Sequence, residues 1–152
     1  MSKFLTELTI SEIGDKLWKL HEPLVYKSDI LTKTVTDTAG FKFDVPYVIT
    51  VPVGFITDLA SVPRVPIVYQ FWGGRCHREA VIHDYLYRKD SDPVASFMTA
   101  NRVFLEAAEA RGKSIQVRYP MFWGVVLGGR CSYHRRLVKD NFDSAKRKGG
   151  AE

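Results

Sequence analysis

The chain has little of what most readily betrays a function. It holds 2 cysteines in 152 residues, Cys76 and Cys131, far apart and in no CxxC pair. A disulfide framework is not expected in a chain with no secretory signal, and buried free thiols are the expected state. A zinc site drawn from Cys76, His77, Cys131 and His134 has a spacing that fits no zinc-finger pattern. No apolar run is long enough to cross a bilayer. The opening residues lack a basic segment followed by an apolar stretch, so no signal peptide is expected. The expected location is therefore a cytoplasm, or a particle in which the chain is packaged. Internal repeats and low-complexity linkers are absent. So are RNA-recognition, zinc-finger and helix-turn-helix signatures, which makes nucleic acid an unsupported partner.

What is present fits a globular protein. Hydrophobic residues make up 45% and aromatics 12%, enough for one domain over residues 1–152 to bury a core. The net charge is +5. Much of the excess lies late, at Arg130, Arg135, Arg136, Lys139, Lys146, Arg147 and Lys148. Residues 140–152 read as a loose basic tail in solvent, with attraction to nucleic acid or an anionic surface as the alternative.

Residues 1–15 read as helix-like or frayed. Residues 16–53 read mainly as strands, in short runs rich in β-branched and aromatic residues: 17–20, 24–26, 30–35, 41–43 and 47–51. A turn is expected at Thr38-Ala39-Gly40, and Pro46 separates the last two runs. The result is one small antiparallel sheet of three to five strands. Residues 62–127 read mainly as helices. A short one covers 62–70, with Asp58, Ser61 and Pro63 as residues suited to its start, and Gly73-Gly74 turns the chain. A second spans 77–89 and is apolar nearly all round, as a buried helix is. A third covers 94–111, with Pro93 in its first turn and Gly112 as its stop. A fourth covers 115–127, bent or started near Pro120. Strands first and helices after predict an α+β fold in which the sheet packs against a helical C-terminal half.

The chemistry-bearing residues fall on the loop after the sheet and on the two central helices. His83 and Tyr87 lie four apart and share a helix face, with Asp84 adjacent. A carboxylate inside an apolar helix needs a partner or a metal. On the next helix, Phe97, Asn101, Phe104 and Ala108 form a stripe whose polar member, Asn101, faces His83 or Asp84 if the two helices pack antiparallel. Asp58 supplies a third oxygen from the loop. Three readings follow. In one, these residues form a satisfied polar network that fixes the helix pair. In another, His83 is a general base for water, with Tyr87 orienting the pair, while Asp58, Asp84 and His83 hold a divalent cation, as in a metal-assisted hydrolase. In the third, the aromatics Tyr69, Phe71, Trp72, Phe122 and Trp123 make a binding or assembly surface, unless they are ordinary core.

Two resemblances bear on these readings. His83-Asp84-x-x-Tyr87 resembles the catalytic helix of secreted phospholipases A2, which implies a water-activating histidine and a calcium-ligating aspartate. The flanking disulfides of that family have no counterpart here, and Asn101 stands where an Asp would orient the histidine. A longer resemblance covers roughly residues 24–129. Val51-Pro52-Val53-Gly54-Phe55-Ile56-Thr57-Asp58-Leu59-Ala60-Ser61-Val62-Pro63-Arg64, Ala80-Val81-Ile82-His83-Asp84-Tyr85-Leu86-Tyr87 and Asn101-Arg102-Val103-Phe104-Leu105-Glu106-Ala107 look like the phage-encoded domain-of-unknown-function family numbered 1353. That resemblance implies a small protein of tailed phages or prophages, located in the host cytoplasm or the virion, with a phage or host protein as partner. It implies no activity. The family pattern has an Ala-Asp pair where this chain has Ala100-Asn101.

Overall fold

The computed structural model describes residues 1–15, 17–59, 76–131 and 133. Six strands come first: β1 (Lys3–Phe4), β2 (Ile10–Gly14), β3 (Leu17–Leu20), β4 (Leu24–Thr36), β5 (Lys42–Val51) and β6 (Ile56–Thr57). Three helices follow: α1 (His77–Leu86), α2 (Phe97–Ala110) and α3 (Ile115–Gly129). The architecture is α+β, as strands followed by helices imply. The expected helix over 62–70, the turn at Gly73-Gly74 and the loose tail at 140–152 lie outside the described residues.

The single sheet expected from sequence is in fact two antiparallel sheets of three strands, ordered β1-β4-β5 and β2-β3-β6. Two strands come from residues 1–15, read above as helix-like or frayed. Lys3 and Phe4 pair with Lys27 and Tyr26 of β4, and Ile10 to Gly14 pair with β3. Tertiary pairing overrides weak local preference there.

The central hairpin also corrects the sequence reading. Four short runs merge into two long strands, joined through the turn in which Gly40 takes φ +88°. Pro46 does not divide β5. It sits where the register jumps: Ser28 pairs with Tyr47 and Thr32 with Pro46, so Asp29, Ile30 and Leu31 bulge out of β4. A proline has no ladder N–H to offer, and a bulge is where a sheet tolerates one. The freed backbone groups find a partner on α2. The Glu106 carboxylate accepts from Asp29 N (2.8 Å) and Ile30 N (3.1 Å) through one oxygen. Its other oxygen accepts from Ser28 Oγ (2.8 Å) and the Tyr26 hydroxyl (3.0 Å). Burial, with the Glu106 charge beside it, pushes the Tyr26 hydroxyl far above its usual pKa.

Leu20, Leu24, Tyr26, Ile49 and Val51 from the sheets, with Phe55 just before β6, meet Val81, Ile82 and Leu86 of α1 and Ala100, Val103 and Ala107 of α2 in one core. Each large apolar side chain there contributes about 1.5–3 kcal/mol by leaving water. A smaller cluster joins Cys76, Phe104, Met121 and Val125, and seats α3 on α2. α2 begins at Phe97 rather than in the turn of Pro93, because Ser96 caps it by accepting from Thr99 N at 3.1 Å. Its stop is the expected one: Gly112 takes φ +69°, where a Cβ would be strained. α3 runs through Pro120 without ending. Cys76 is buried and Cys131 exposed, and both are free, so only one thiol matches the expected burial.

Candidate functional site

The antiparallel helix pair brings the central residues together. Asn101 is fully buried at the α1–α2 contact, and two groups converge on its Oδ1: His83 Nε2 at 2.7 Å and the Tyr87 hydroxyl at 2.7 Å. An amide oxygen only accepts, so both groups donate. That fixes the proton of a neutral His83 on Nε2 and leaves Nδ1 as the basic nitrogen. Nδ1 lies 3.9 Å from Asp84 Oδ1. The His83 ring is 2% exposed, with Tyr87 tilted over it at 3.9 Å between centroids and Phe104 edge-on at 5.6 Å. Burial raises the Tyr87 hydroxyl well above its ordinary pKa. Tyr87 in turn packs against Tyr133, whose hydroxyl donates to Ala95 O at 2.6 Å.

Glycine is required at the other side of Tyr87. A Cβ built on Gly129, at the end of α3, would meet the Tyr87 hydroxyl at 2.5 Å. The last turn of α3 therefore approaches the network closely because it has no side chain there.

Asp84 meets the loop after the sheet through Thr57. The Thr57 hydroxyl donates to Asp84 Oδ2 at 2.5 Å and accepts from Leu59 N at 3.0 Å. Leu59 takes φ +51°, an uncommon conformation for a residue with a Cβ, and the Thr57 bond holds that turn. Asp58 lies half-buried between these two residues. The loop and the His-Asp couple are thus neighbours, and Thr57 is a link between them that sequence reasoning missed. Ser61 and Pro63 lie outside the described residues. So do Tyr69, Phe71, Trp72 and His134. Asp84 is only 13% exposed, so the expected inward placement holds.

A second polar cluster sits at the opposite end of α1. Glu79 is fully buried there, and its Oε2 lies 3.5 Å from Arg111 Nη1. Its Oε1 has no hydrogen-bond partner among the described residues, and neither has Asn101 Nδ2. Burial pushes the Glu79 carboxyl up, opposed first by its own backbone N–H and then by Arg111 and Lys113. The neighbouring Cys76 thiol is pushed up to about 11 by burial first and by the Glu79 charge second, so it is an unreactive thiol at neutral pH. His77 is lowered, by burial and then by Arg111 and Lys113. Arg88, another buried charge, is held by both oxygens of Asp90, at 2.8 and 2.9 Å. Among the described residues, no three or more His, Cys, Asp or Glu side chains are grouped to hold a metal ion. No described helix is long and apolar enough to cross a membrane.

These elements define an α+β protein whose helix pair is bridged by a buried His-Asn-Tyr network beside a strand-end loop. Residues 45–125 match the family described as Protein of unknown function (DUF1353), and the chain belongs to that family. No curated protein and no solved structure matches it.

Proposed function

We propose that the chain is a phage or prophage accessory protein that acts by binding, in virion assembly or at a host component, and that His83, Asp84, Tyr87 and Asn101 serve as the lock of its fold. One observation carries this reading. The Nε2 of His83 and the hydroxyl of Tyr87 are both spent on a single fully buried amide oxygen, with aromatic rings packed on the imidazole. A network with that burial rigidifies the helix pair. The phage assignment rests on the resemblance of the three motifs and on no contact in the fold.

A metal-assisted hydrolase is the second reading. The observation in its favour is that Asp84, 3.9 Å from the imidazole, keeps 13% of its side chain in reach of solvent. In that case His83 Nδ1 would activate water and Asp84 with Asp58 would hold a divalent cation. Thermal melts with calcium, magnesium or zinc, and with a chelator, separate the two. A protein locked by its own side chains melts at one temperature in all of them. A metal-dependent rise that Asp84→Asn abolishes overturns the binding-protein reading, because a ligand stabilises only the state that holds it.

A further inference from the structure

The β4–β5 hairpin outruns the body that carries it. Its core residues, Leu24, Tyr26, Ile49 and Val51, lie at one end of the ladder. Past the bulge, Thr32 to Thr36 pair with Lys42 to Pro46, and no side chain of that stretch belongs to the core. Phe41, just before β5, and Phe43 are 72% and 48% exposed. Alternate residues of a strand share a face, so Phe43 and Val45 continue the face on which Ile49 and Val51 meet the core. Val35 stands opposite Phe43 on that face. A ribbon of two strands is marginal in water, and further strands with an apolar face stabilise it.

β5 is an edge strand, and the phase of its ladder is fixed at both ends. Asp37 N donates to Phe41 O at 2.9 Å, so near the tip the odd-numbered residues turn their backbone groups toward β4. At the other end Val25 stands opposite Thr50. Val25 donates its N–H to Thr6 Oγ1 and accepts from Leu5 N, both on the side away from β5. Thr50 and the other even-numbered residues therefore face the free edge. Lys42 and Asp44 present their N–H and C=O groups there, and Pro46 presents its C=O alone. No strand among the described residues pairs with that edge.

We propose that this edge takes the same edge of a second copy of the chain, antiparallel about a two-fold axis at Phe43. That register sets Lys42 opposite Asp44 of the second copy, and Asp44 opposite its Lys42. Both members of each pair face outward, so each pair exchanges both backbone bonds. Phe43 meets its own copy at the non-hydrogen-bonded position, where side chains come closest, and Phe41 meets Val45. Moving the axis by one residue, to Lys42 or to Asp44, sets like charges opposite each other. Pro46, with no N–H, ends the ladder. Lysine and proline on an edge ordinarily keep strands apart. Here the carboxylate two residues from Lys42 makes the edge complementary to its own reverse, which an unrelated strand is not. So short an edge buries less than the roughly 800 Å² per partner of a standard interface, so the pairing is weak and depends on concentration.

The test is analytical ultracentrifugation of the full chain from micromolar to millimolar concentration, where a reversible monomer–dimer equilibrium is expected. Asp44→Lys alone and Lys42→Asp alone each set like charges opposite each other twice, and each is expected to raise the dissociation constant about tenfold. Mixing the two variants, or making both changes in one chain, sets unlike charges opposite again and is expected to restore the dimer. Both positions are exposed and outside the core, and Asp44 gives up only its bond from Thr34 Oγ1 (2.6 Å), so the melting temperature holds. Four results overturn the proposal. One is a monomer at every concentration, which leaves the edge to a strand of another protein or to none. Another is a dimer unchanged in Asp44→Lys. The third is failure of the mixed variants to associate. The last is a dimer that Leu127→Asp, at an exposed position on α3, dissociates instead.

Discussion

The two ends of α1 bury polar groups under opposite terms. At the C-terminal end, His83, Asp84 and Tyr87 reach Asn101 and Thr57 at 2.5–2.7 Å. At the N-terminal end, Glu79 is as deeply buried but has Arg111 at 3.5 Å for one oxygen and no described partner for the other. The difference teaches that burial alone does not mark a built site. What marks it is convergence of donors on one acceptor. The same contrast holds between Glu79 and Glu106, whose carboxylate takes four hydrogen bonds from the β4 bulge and its flanks. Removing a partner should therefore hurt most at the satisfied end, and removing a charge should help at the other.

The largest effect is expected for Asn101→Ala. It leaves the Nε2–H of His83 and the hydroxyl of Tyr87 without their acceptor in a site with little access for water. Each of the two stranded donors costs about 1–3 kcal/mol, so the loss is about 2–6 kcal/mol in denaturant unfolding. A loss below about 1 kcal/mol would mean that the satisfied end is no better built than the other.

A smaller effect of opposite sign is expected for Glu79→Gln. Burial holds the folded carboxyl above its ordinary value, so the folded state binds this proton more tightly than the unfolded chain does. Stability therefore falls as pH rises from the ordinary carboxylate range through the folded pKa, and the full penalty is present above it. The glutamine variant is expected to gain about 1 kcal/mol near pH 8, or about 2–4 °C in melting temperature. The gain should vanish toward about pH 3, below the ordinary glutamate pKa of about 4.3, where the carboxyl is neutral in both states. Melting both proteins across that range checks the sign. A variant that is less stable at pH 8 would show that the Arg111 contact outweighs desolvation.

Much of this contrast was legible in the sequence at one end only. His83 and Tyr87 four apart, and Asn101 within an apolar stripe, specify a shared face and an inward amide, and the helix pair delivers both. Thr57 was not legible. A threonine at a strand end reads as β-branched filler, and attention goes to the carboxylate beside it. Neighbouring positions at a strand end point to opposite faces, so a shift of one residue changes which side chain meets the helix. Glu106 was quoted within a motif without a role, because its partners lie 76 to 80 residues earlier in sequence and exist only once β4 bulges. Glu79 gave no signal either. Spacing shows which face a residue occupies and does not show whether a donor waits there.

The smallest expected effect tests the edge of the satisfied end. Thr57→Val keeps the shape of the side chain and removes one hydroxyl, which loses the bond to Asp84 and the acceptor for Leu59 N. Asp84 retains some access to solvent, so water can replace the lost donor there. The global cost is therefore about 0.5 kcal/mol, below the effects of Asn101→Ala and Glu79→Gln. The local consequence is larger in kind. Leu59 at φ +51° is held by that hydroxyl, and without it the turn has less to keep it in an uncommon conformation. Hydrogen exchange at the Leu59 amide should speed up while amides of α1 and α2 keep their protection. If the helix amides exchange faster as well, Thr57 belongs to the lock itself. The boundary between the two halves of the contrast would then run through the loop, and the helix pair would depend on the strand end for its order.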